Sequence, residues 1–552
     1  MQTRVTTGAL VVVILVLAHA AEAQQRTSPA KGEERRSLPN VVFFLADDLG
    51  YGDVGIYGGV VPTPNIDRLA RDGMRFTDAH SPAALCAPSR FSLLTGSNPY
   101  RNGRPGGSWD ANFSSGFSTG TAHLEEGRHI TVAEILQRAG YRTGFFGKGH
   151  LGGDVYDTSG KLIREKDALN TMDFSRGIRD SLNEHGFDYS LLLPSGIQHE
   201  PYAFFENGRY MPIDPASPPD NRSTILRKDG RYEVTNNGVS EIVEAATVPA
   251  RCDINYDSSQ AGRIMTGKAL QFIDDHLADN KREGREQPFM MYFSSQAIHV
   301  PHTPPIDFDG DPEVLNQPVA GMTGGRTSDV LYELDVQLGA LIAKLRDEGL
   351  LENTIIFFTS DNGALWPNVV EYGDPRHDNN GPFRDYKASV YEGGHRVPLI
   401  VRWGDGTKTG SKIAPGSVSD QLVVNHDWVA TMYELTGQTM AEHQAMDSAS
   451  LLPILTGKQK GPLHEFVIYQ AGYAYDGAIR EGSIVLLVDK ENKATELYDL
   501  ATDIGQEKNL IADPKHKDLV TRLHAKFLKY NDHNNETFDE PRTTPRVIIG
   551  EE

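Results

Sequence analysis

The stretch that decides the fold is NVVFFLADD, residues 40–48. Positions 41–46 form an unbroken apolar run, and two aspartates, Asp47 and Asp48, follow it at once. A run of this length, without alternation of apolar and polar residues, is typical of a strand buried on both faces of a parallel sheet. Ligands of open α/β sheets bind beyond the carboxyl ends of such strands. The stretch therefore predicts a central strand that delivers two carboxylates to a binding site.

The same pattern repeats along the chain as helical periodicity followed by an apolar run. Helices are predicted over residues 63–73, 131–139, 267–278 and 327–349, and strands over residues 141–146, 289–294, 354–359 and 397–403. Apolar strands that alternate with helices predict an α/β fold, with a large, mostly parallel sheet sandwiched by helices. Residues 154–256 are rich in Gly, Pro, Asn and Arg and lack clean periodicity, so we expect long surface insertions there.

The pattern changes near residue 460. Short strands without intervening helices are predicted over residues 466–470, 478–489 and 495–500, and an amphipathic helix over residues 516–530. We therefore expect a catalytic domain at 39–460 and a smaller C-terminal subdomain and tail at 461–552, built as an antiparallel sheet with one helix.

The N-terminus predicts export. Residues 1–23 combine a positive start at Arg4, an apolar run over residues 9–18 and the small-residue cleavage site AEA at 21–23, as a signal peptide does. Residues 24–38 would follow as a polar leader. The apolar run is too short to span a bilayer comfortably and no second one follows. We expect a periplasmic or extracellular protein without a transmembrane anchor.

The charge of the chain excludes one class of partner. The formal net charge of the 552 residues is −21, whereas broad nucleic-acid binding needs a basic surface. Long-range repulsion also opposes a polyanionic substrate. Any anion site must therefore be a local cluster of lysine, arginine, histidine or metal.

Two cysteines, Cys86 and Cys252, are present. An exported protein permits a disulfide between them. Pro88, two residues after Cys86, suits the first turn of a helix, and a cysteine at a helix N-terminus is also a candidate low-pKa thiol nucleophile. Both interpretations stay open on these residues alone.

Polar residues follow four of the predicted strands. Their positions are Asp47 and Asp48, Lys148 and His150, His299, and Asp361 and Asn362. Because the ends of parallel strands meet at one edge of a sheet, we expect these side chains to converge. The aspartates and the asparagine offer only oxygen ligands, which suits calcium or magnesium.

The stretch ALCAPSRFSLLTG, residues 84–96, resembles the modification signature of the formylglycine-dependent sulfatases, in the alkaline phosphatase-like superfamily. The resemblance extends from NVVFFLADDLGYGD near residue 40 to TELYDLATDIGQEKNL, which ends at Leu510. It also includes GKGHLG at 147–152 and YEGG at 391–394. The resemblance implies that a formylglycine-generating or sulfatase-maturing enzyme converts Cys86 to formylglycine.

The resemblance further implies roles for individual residues. One calcium ion would be bound by Asp47, Asp48, Asp361, Asn362 and the modified Cys86. Arg90 would support the formylglycine, His150 would orient its diol, and His299 would face the leaving-group oxygen. Lys148 and Lys387 would contact the sulfate oxygens. Gly149 departs from the family pattern, in which an aromatic residue is common, so we expect altered packing or a wider pocket there.

The implied reaction is hydrolysis of a sulfuric ester. One hydroxyl of the hydrated aldehyde attacks sulfur and gives a covalent sulfo-enzyme, and the second hydroxyl then expels sulfate. Calcium and the two lysines would offset charge on the sulfuryl oxygens. His299 or Lys387 would protonate the departing alkoxide.

Export and a rim built from long loops favour a sulfated polysaccharide as the substrate, and His302 and His377 are the candidate substrate contacts. Two alternatives are a phosphonate or phosphodiester hydrolase of the same superfamily and a non-catalytic glycan-binding relative.

Overall fold

The computed structural model describes residues 38–102, 124, 129–163, 172–197, 201–216, 253, 255–306, 318–471 and 476–531, with the backbone of 231–236 and 239–244. The strands in chain order are β1 Asn40–Ala46, β2 Met74–Phe76, β3 Ala79–His80, β4 Arg142–Lys148, β5 Asp154–Tyr156, β6 Leu162–Ile163, β7 Ile178–Arg179, β8 Tyr189–Leu193, β9 Phe204–Glu206, β10 Arg209–Met211, β11 Arg231–Asn236, β12 Val239–Glu244, β13 Phe289–Ser294, β14 Thr354–Ser360, β15 Leu399–Trp403, β16 Ser417–Ser419, β17 Val423–Val424, β18 Val467–Gln470, β19 Gly477–Glu481, β20 Ile484–Val488 and β21 Ala494–Asp499. The α-helices are Pro64–Asp72, Cys86–Thr95, Val132–Arg138, Ala261–Glu283, Arg326–Asp347, Glu392–His395, Trp428–Thr436, Leu452–Leu455 and Lys517–Tyr530.

A ten-stranded sheet forms the centre of the fold, in the order β10-β9-β8-β4-β13-β1-β14-β15-β2-β16. The five neighbours β8, β4, β13, β1 and β14 run parallel. The predicted large, mostly parallel sheet is therefore confirmed. β15 differs from its neighbours, because it pairs antiparallel with β14. The connection from β14 to β15 contains only the one-turn helix Glu392–His395, and an antiparallel return needs no helical crossover.

Burial on both faces explains the unbroken apolar sequence of β1. Phe43 stacks on Trp428 with ring centroids 4.1 Å apart, on the face where the helices Cys86–Thr95 and Trp428–Thr436 lie. Phe44 faces the opposite side and stacks on Phe293 and Phe358, in the core shared with the helices Ala261–Glu283 and Arg326–Asp347. Each face of a parallel strand is thus covered by apolar side chains.

The helix Pro64–Asp72 is capped by a residue that is distant in sequence. Asp335, on the helix Arg326–Asp347, accepts hydrogen bonds from the backbone N–H groups of Asn65 and Ile66, both at 2.9 Å. These are among the N–H groups that a helix leaves without an internal partner. The cap ties the helix Pro64–Asp72 to its neighbour across the same face of the sheet.

Part of the stretch 154–256 belongs to the central sheet. β8 joins the parallel core beside β4, and β9 and β10 extend that edge antiparallel. The expectation that this whole stretch is surface insertion is therefore wrong for these three strands. The strands are only three to five residues long, too short for an alternation or an apolar run to stand out.

The C-terminal part contains the predicted antiparallel sheet, in the order β18-β19-β20-β21. The helix Lys517–Tyr530 packs on it through Leu523 and Phe527. The single strand predicted over 478–489 is in fact a hairpin, because Gly482 turns the chain with φ +60. The division at residue 460 stays a prediction.

No helix among the described residues is long and apolar enough to cross a bilayer. The predicted signal peptide at 1–23, nearly all of the predicted leader at 24–38, and Cys252 lie outside the described residues.

Candidate active site

The carboxyl ends of β4, β13, β1 and β14 lie side by side, and hydrogen bonds continue between the chains beyond the strands. The N–H of Asp47 donates to the carbonyl of Ala297 at 2.8 Å, and the N–H of Ile298 donates to the carbonyl of Asp47 at 2.7 Å. On the other side, the N–H of Asp361 donates to Ala46 at 3.2 Å. The backbones that carry three groups of predicted site residues are thus held in one array.

The oxygen ligands predicted for a metal ion come together in this array. Asp47, Asp48, Asp361 and Asn362 are all fully buried. Asp48 adopts a left-handed backbone conformation with φ 64, which aspartate tolerates better than most residues. Its N–H donates to Oδ1 of Asp361 at 3.1 Å, and its Oδ1 accepts from Nδ2 of Asn362 at 2.8 Å.

Two buried oxygens in this group accept no hydrogen bond from the described residues. They are Oδ2 of Asp48 and Oδ1 of Asn362. A buried polar atom without a hydrogen bond is costly unless something else satisfies it. Nε2 of the His299 ring lies 3.3 Å from Oδ2 of Asp48. Two open oxygens of this kind, in a set that offers only oxygen, fit a hard cation such as calcium.

Cys86 begins the helix Cys86–Thr95, as the position of Pro88 predicts. Its Sγ lies 3.5 Å from Oδ1 of Asp47 and 3.6 Å from Oδ1 of Asp48. Burial, together with Asp361, raises the pKa of the Cys86 thiol well above its usual range. The hypothesis of a low-pKa thiolate is therefore not supported. The Cys86 thiol is buried and forms no disulfide with any residue that the structure describes.

Two lysine ammonium groups enter the same cluster. Nζ of Lys148 donates to both carboxylate oxygens of Asp47, at 3.1 and 2.8 Å. Nζ of Lys387 donates to Oδ1 of Asp48 at 2.5 Å and lies 3.3 Å from Sγ of Cys86. Burial alone would lower the pKa of Lys387, but Asp48 and the neighbouring anions outweigh it and raise the pKa. Lys387 therefore stays charged beside residue 86.

Arg90 contacts the cluster through hydrogen bonds from its guanidinium group. Nε and Nη2 donate to Oδ2 of Asp361, and Nη1 donates to the carbonyl of Lys148 at 2.9 Å. Nη1 also donates to Oγ of Ser294 at 2.5 Å, and this hydroxyl in turn donates to the Lys148 carbonyl at 2.8 Å. Arg90 thus braces Asp361 and Lys148. Ser294 is a positioning residue that sequence reasoning missed, because a serine at a strand end carries no signal of its own.

His299 reaches the cluster from the loop after β13. Its Nε2 lies 3.4 Å from Nζ of Lys387, and its Nδ1 lies 2.7 Å from the carbonyl of Val300. Burial lowers the pKa of His299 well below its usual range, although Asp48 opposes the effect. A neutral ring that donates from Nδ1 presents an unprotonated Nε2 to Lys387.

His150 also follows β4 and is buried, with a φ of 56. It lines a small cavity together with Asp180, His185 and Leu192. Its predicted contact with the modified residue 86 stays a prediction. At Gly149 a side chain would begin 2.5 Å from Cδ1 of Leu192, so Leu192 occupies the space into which a side chain at this position would extend.

The two residues predicted to contact the substrate, His302 and His377, interact with other groups of the protein. Nε2 of His302 lies 3.2 Å from the carbonyl of Ile298, and Nδ1 lies 3.1 Å from Oγ1 of Thr327. The side chain of His377 is fully buried, with Nε2 2.9 Å from Oδ1 of Asp53. Both histidines therefore hold loops in place, and the structure does not favour a substrate contact for either.

A second buried cluster, formed by His80, Glu392 and His395, was not predicted. Two arginine side chains contact its members. Nη1 of Arg396 donates to Oε2 of Glu392 at 2.6 Å, and Nη1 of Arg480 lies 3.0 Å from Nε2 of His80. Two guanidinium groups in contact with the candidate ligands oppose a metal ion there, so the cluster is structural.

Comparison with known proteins agrees with this geometry. The sequence model of the Sulfatase family matches residues 39–438, and a model described as N-sulphoglucosamine sulphohydrolase, C-terminal, matches residues 382–533. The N-acetylgalactosamine-6-O-sulfatase of Bacteroides thetaiotaomicron is 30% identical over 522 residues, which cover 89% of this chain and 91% of that protein. Human arylsulfatase A is 33% identical over 433 residues, covering 78% and 70%.

A solved structure from work on the metabolism of multiple glycosaminoglycans by Bacteroides thetaiotaomicron superposes with a TM-score of 0.69 at 28% identity. It covers 90% of this chain and 99% of that chain. The matched residues include the ends of β1, β4, β13 and β14 and the helix that begins at Cys86. The chain therefore belongs to the sulfatase family and is a sulfatase.

Proposed function

We propose that this sulfatase releases inorganic sulfate from a sulfated carbohydrate, with formylglycine made from Cys86 as the nucleophile and one calcium ion bound by Asp47, Asp48, Asp361 and Asn362. The observation that carries the proposal is the position of Lys387. Its ammonium nitrogen lies 3.3 Å from Sγ of Cys86 and 2.5 Å from Oδ1 of Asp48. The nucleophilic position, an anion-binding cation and the candidate metal ligands thus meet at one point.

The charges of the cluster suit a sulfate ester. The carboxylates of Asp47, Asp48 and Asp361 are balanced by three cations, Arg90, Lys148 and Lys387, all in contact with them. A bound divalent cation makes the buried cluster net positive. In a site shielded from water, that excess attracts an anionic sulfate ester strongly, even on a protein whose net charge is −21.

Formylglycine at position 86 would supply a hydrated aldehyde as nucleophile, and calcium held by the four oxygen ligands would supply positive charge to the site. The chain's own residues do the rest. Lys148 and Lys387 hold the sulfuryl oxygens as the charge on them shifts during displacement. The proton for the departing alkoxide comes from Lys387, either directly or by way of Nε2 of His299, which lies 3.4 Å from Nζ of Lys387 and accepts the proton from it. Arg90 keeps Asp361 and the Lys148 backbone fixed throughout.

The relatives support a carbohydrate as the alcohol. The first relative is named for sulfated N-acetylgalactosamine, and the solved structure comes from work on glycosaminoglycans. We also propose export by the signal peptide at 1–23 to the periplasm or the exterior, and maturation of Cys86 by a formylglycine-generating or sulfatase-maturing enzyme. The motif at residues 84–96 supports the second of these proposals.

Release of sulfate from a panel of sulfated mono- and disaccharides tests the proposal, with sulfate measured by ion chromatography. Wild-type protein that carries the aldehyde at position 86 is expected to release sulfate from at least one member. The matched Cys86→Ala protein is expected to release none. Equal sulfate release by both proteins would overturn the proposed role of residue 86.

A further inference from the structure

The loop that follows β13, residues 295–302, carries His299 into the candidate active site. The N–H of His299 donates to the carbonyl of Gln296 at 3.1 Å, so a turn fixes its backbone relative to Gln296. Two backbone hydrogen bonds to Asp47 hold residues 297 and 298 beside the end of β1. The ring of His299 therefore depends on where Gln296 and the residue before it are held.

The side chains of Ser295 and Gln296 contact a neighbouring helix, which carries Glu333 and Gln337. Oγ of Ser295 donates to Oε1 of Gln337 at 2.7 Å and accepts the N–H of Ala297 at 3.0 Å. Nε2 of Gln296 donates to Oε1 of Glu333 at 2.7 Å. Two consecutive side chains thus attach the start of the loop to one helix.

The helix Arg326–Asp347 completes this set of hydrogen bonds. Nε2 of Gln337 donates to Oε1 of Glu333 at 3.1 Å and to Oε1 of Gln296 at 3.4 Å. Glu333 and Gln337 are one helical turn apart, so they share a face of the helix. All four side chains are buried, and hydrogen bonds among them offset the cost of burying polar groups. We call Ser295, Gln296, Glu333 and Gln337 the Glu333 network.

A second helix, Ala261–Glu283, leaves space for the Glu333 network. A Cβ atom at Gly262 would lie 2.0 Å from Oε1 of Glu333 and 2.3 Å from Nε2 of Gln337. Cβ atoms do not approach other atoms so closely, so only glycine fits at this position while the network is in place. Three segments of the chain are therefore fitted around one set of polar side chains.

The surroundings of the Glu333 network are apolar. The core at this contact between helices and sheet includes Met265, Leu334 and Leu338. Hydrophobic contacts are non-directional, whereas hydrogen bonds fix both a distance and an angle. Apolar side chains would hold the helix against the sheet equally well, but they would not fix the position of Gln296.

The same helix also holds the far side of the loop. Nδ1 of His302 lies 3.1 Å from Oγ1 of Thr327, and Nε2 of His302 lies 3.2 Å from the carbonyl of Ile298. His299 thus lies between two attachments to one helix. With both sides of the loop held, Nε2 of His299 lies 3.4 Å from Nζ of Lys387.

We propose that the Glu333 network is a positioning device for His299, which keeps Nε2 of that ring aligned between Lys387 and the leaving-group oxygen. As the bond from sulfur to residue 86 forms, the bond to the departing oxygen breaks and leaves its electron pair on that oxygen. The oxygen then takes the proton that Nε2 of His299 has accepted from Lys387. This inference rests on the proposed function and deepens it, because it assigns the network to protonation of the alkoxide and not to attack on sulfur.

The test compares two aryl sulfates whose leaving groups differ in basicity. The para-nitrophenyl ester releases a weakly basic phenolate that needs little protonation, whereas the para-methoxyphenyl ester releases a more basic one. For mature enzyme, Glu333→Leu is expected to lower kcat/KM about tenfold for the methoxy compound and less than about twofold for the nitro compound. The control Glu333→Gln keeps an acceptor oxygen for both glutamines and is expected to match the wild type. Losses of equal size for the two esters would show a purely structural role and overturn the inference.

A double-mutant cycle assigns the effect to the ring that the network positions. Glu333→Leu is expected to lower kcat/KM by less than about twofold in His299→Ala protein, because the group to be positioned is already absent. The cycle applies to any sulfate ester that the enzyme hydrolyses, a sugar sulfate included. Additive losses in the double variant would overturn the inference.

Ser295→Ala is a milder variant for the case in which Glu333→Leu does not fold. It deletes one oxygen of the network and is expected to give the same pattern, with about a threefold loss for the methoxy compound. If the mature wild type hydrolyses no sulfate ester, the proposed function fails, and this inference fails with it. If the wild type is active while both variants keep its ratio between the two esters, only the inference fails.

Discussion

Arg90 pairs with Asp361 through a single carboxylate oxygen, with Nε at 3.0 Å and Nη2 at 2.7 Å from Oδ2. The second oxygen, Oδ1, accepts the N–H of Asp48 at 3.1 Å and faces the cluster of candidate metal ligands. Residues that are 271 positions apart are thereby locked together in the interior. The helix that begins at Cys86 is fixed to the end of β14 by this pair.

Loss of the Arg90 guanidinium is expected to destabilise the fold strongly. The Arg90→Met variant leaves Asp361 buried without its partner, which costs about 3–5 kcal/mol of unfolding free energy. Urea unfolding of protein that retains the unmodified Cys86 checks this without interference from maturation. Arg346→Met, which removes a partner of an exposed pair, is the control and is expected to cost less than about 1 kcal/mol. Equal losses in both variants would contradict the bracing role of Arg90.

Calcium is expected to stabilise the protein even when residue 86 cannot be modified. Its binding to the folded state alone raises the unfolding free energy, by about 2.7 kcal/mol at a hundred times the dissociation constant. Thermal unfolding of Cys86→Ala protein with and without calcium measures this shift. Asn362→Leu removes an open oxygen ligand and is expected to reduce the shift, whereas the exposed control Asp347→Asn retains it. A shift of the same size in all three proteins would place the ion elsewhere.

The buried carboxyl group of Glu333 is expected to make the free energy of unfolding depend on pH. Burial raises the pKa of this carboxyl to about 8, although Gln296 and Gln337 donate to it at 2.7 and 3.1 Å. Between its ordinary pKa and this raised value, the unfolded chain has lost the proton and the folded chain retains it. Stability therefore falls as pH rises through this window, by up to about 1.4 kcal/mol per pH unit.

Glu333→Gln is expected to remove that dependence, since the amide oxygen accepts the same two hydrogen bonds and holds no titrating proton. Unfolding free energies between about pH 5 and pH 8 should therefore fall less steeply in the variant than in the wild type. The exposed control Glu352→Gln should follow the wild type. Parallel curves for Glu333→Gln and the wild type would show that Glu333 is ionised in the folded protein.

Arg480 attaches the C-terminal sheet to the main part of the fold. Its Nη1 and Nη2 donate to Oδ1 and Oδ2 of Asp78 at 2.8 and 2.6 Å, and its side chain is only 6% exposed. Because Asp78 keeps Arg396 and His80 as partners, Arg480→Met is expected to cost about 1.5–3 kcal/mol in unfolding free energy. Arg522 makes a comparable pair with Glu481 but is 51% exposed, so Arg522→Met should cost less than about 1 kcal/mol. The reverse order of the two variants in urea unfolding would refute this assignment.

Much of the site follows from the sequence because neighbouring parallel strands carry it. β13, β1 and β14 are buried on both faces, so each contains an apolar run whose end is easy to locate, and β4 contains a shorter one at Phe145 and Phe146. The residues after those ends must then share one edge of the sheet. Lys387 is different, because it lies on a loop without strand or helix signals, and only the family resemblance pointed to it.

Contacts between distant segments could not be predicted in this way. The hydrogen bonds of His302 with Thr327 and of His377 with Asp53 depend on how loops fold over the sheet edge. The cap that Asp335 provides for Asn65 joins two helices 270 residues apart. Periodicity indicates which face of a helix or strand is buried, but it contains no information on which polar side chain from a distant segment contacts that element.

Protein that carries formylglycine at position 86 is expected to hydrolyse a sulfate ester in preference to a phosphate diester. The most direct measurement is the ratio of kcat/KM for an aryl sulfate to that for an aryl phosphate diester, on protein whose residue-86 peptide shows the aldehyde by mass spectrometry. We expect the sulfate to be preferred by at least about tenfold. Preferred cleavage of the diester, or sulfate turnover by protein that contains only unmodified Cys86, would contradict the claim.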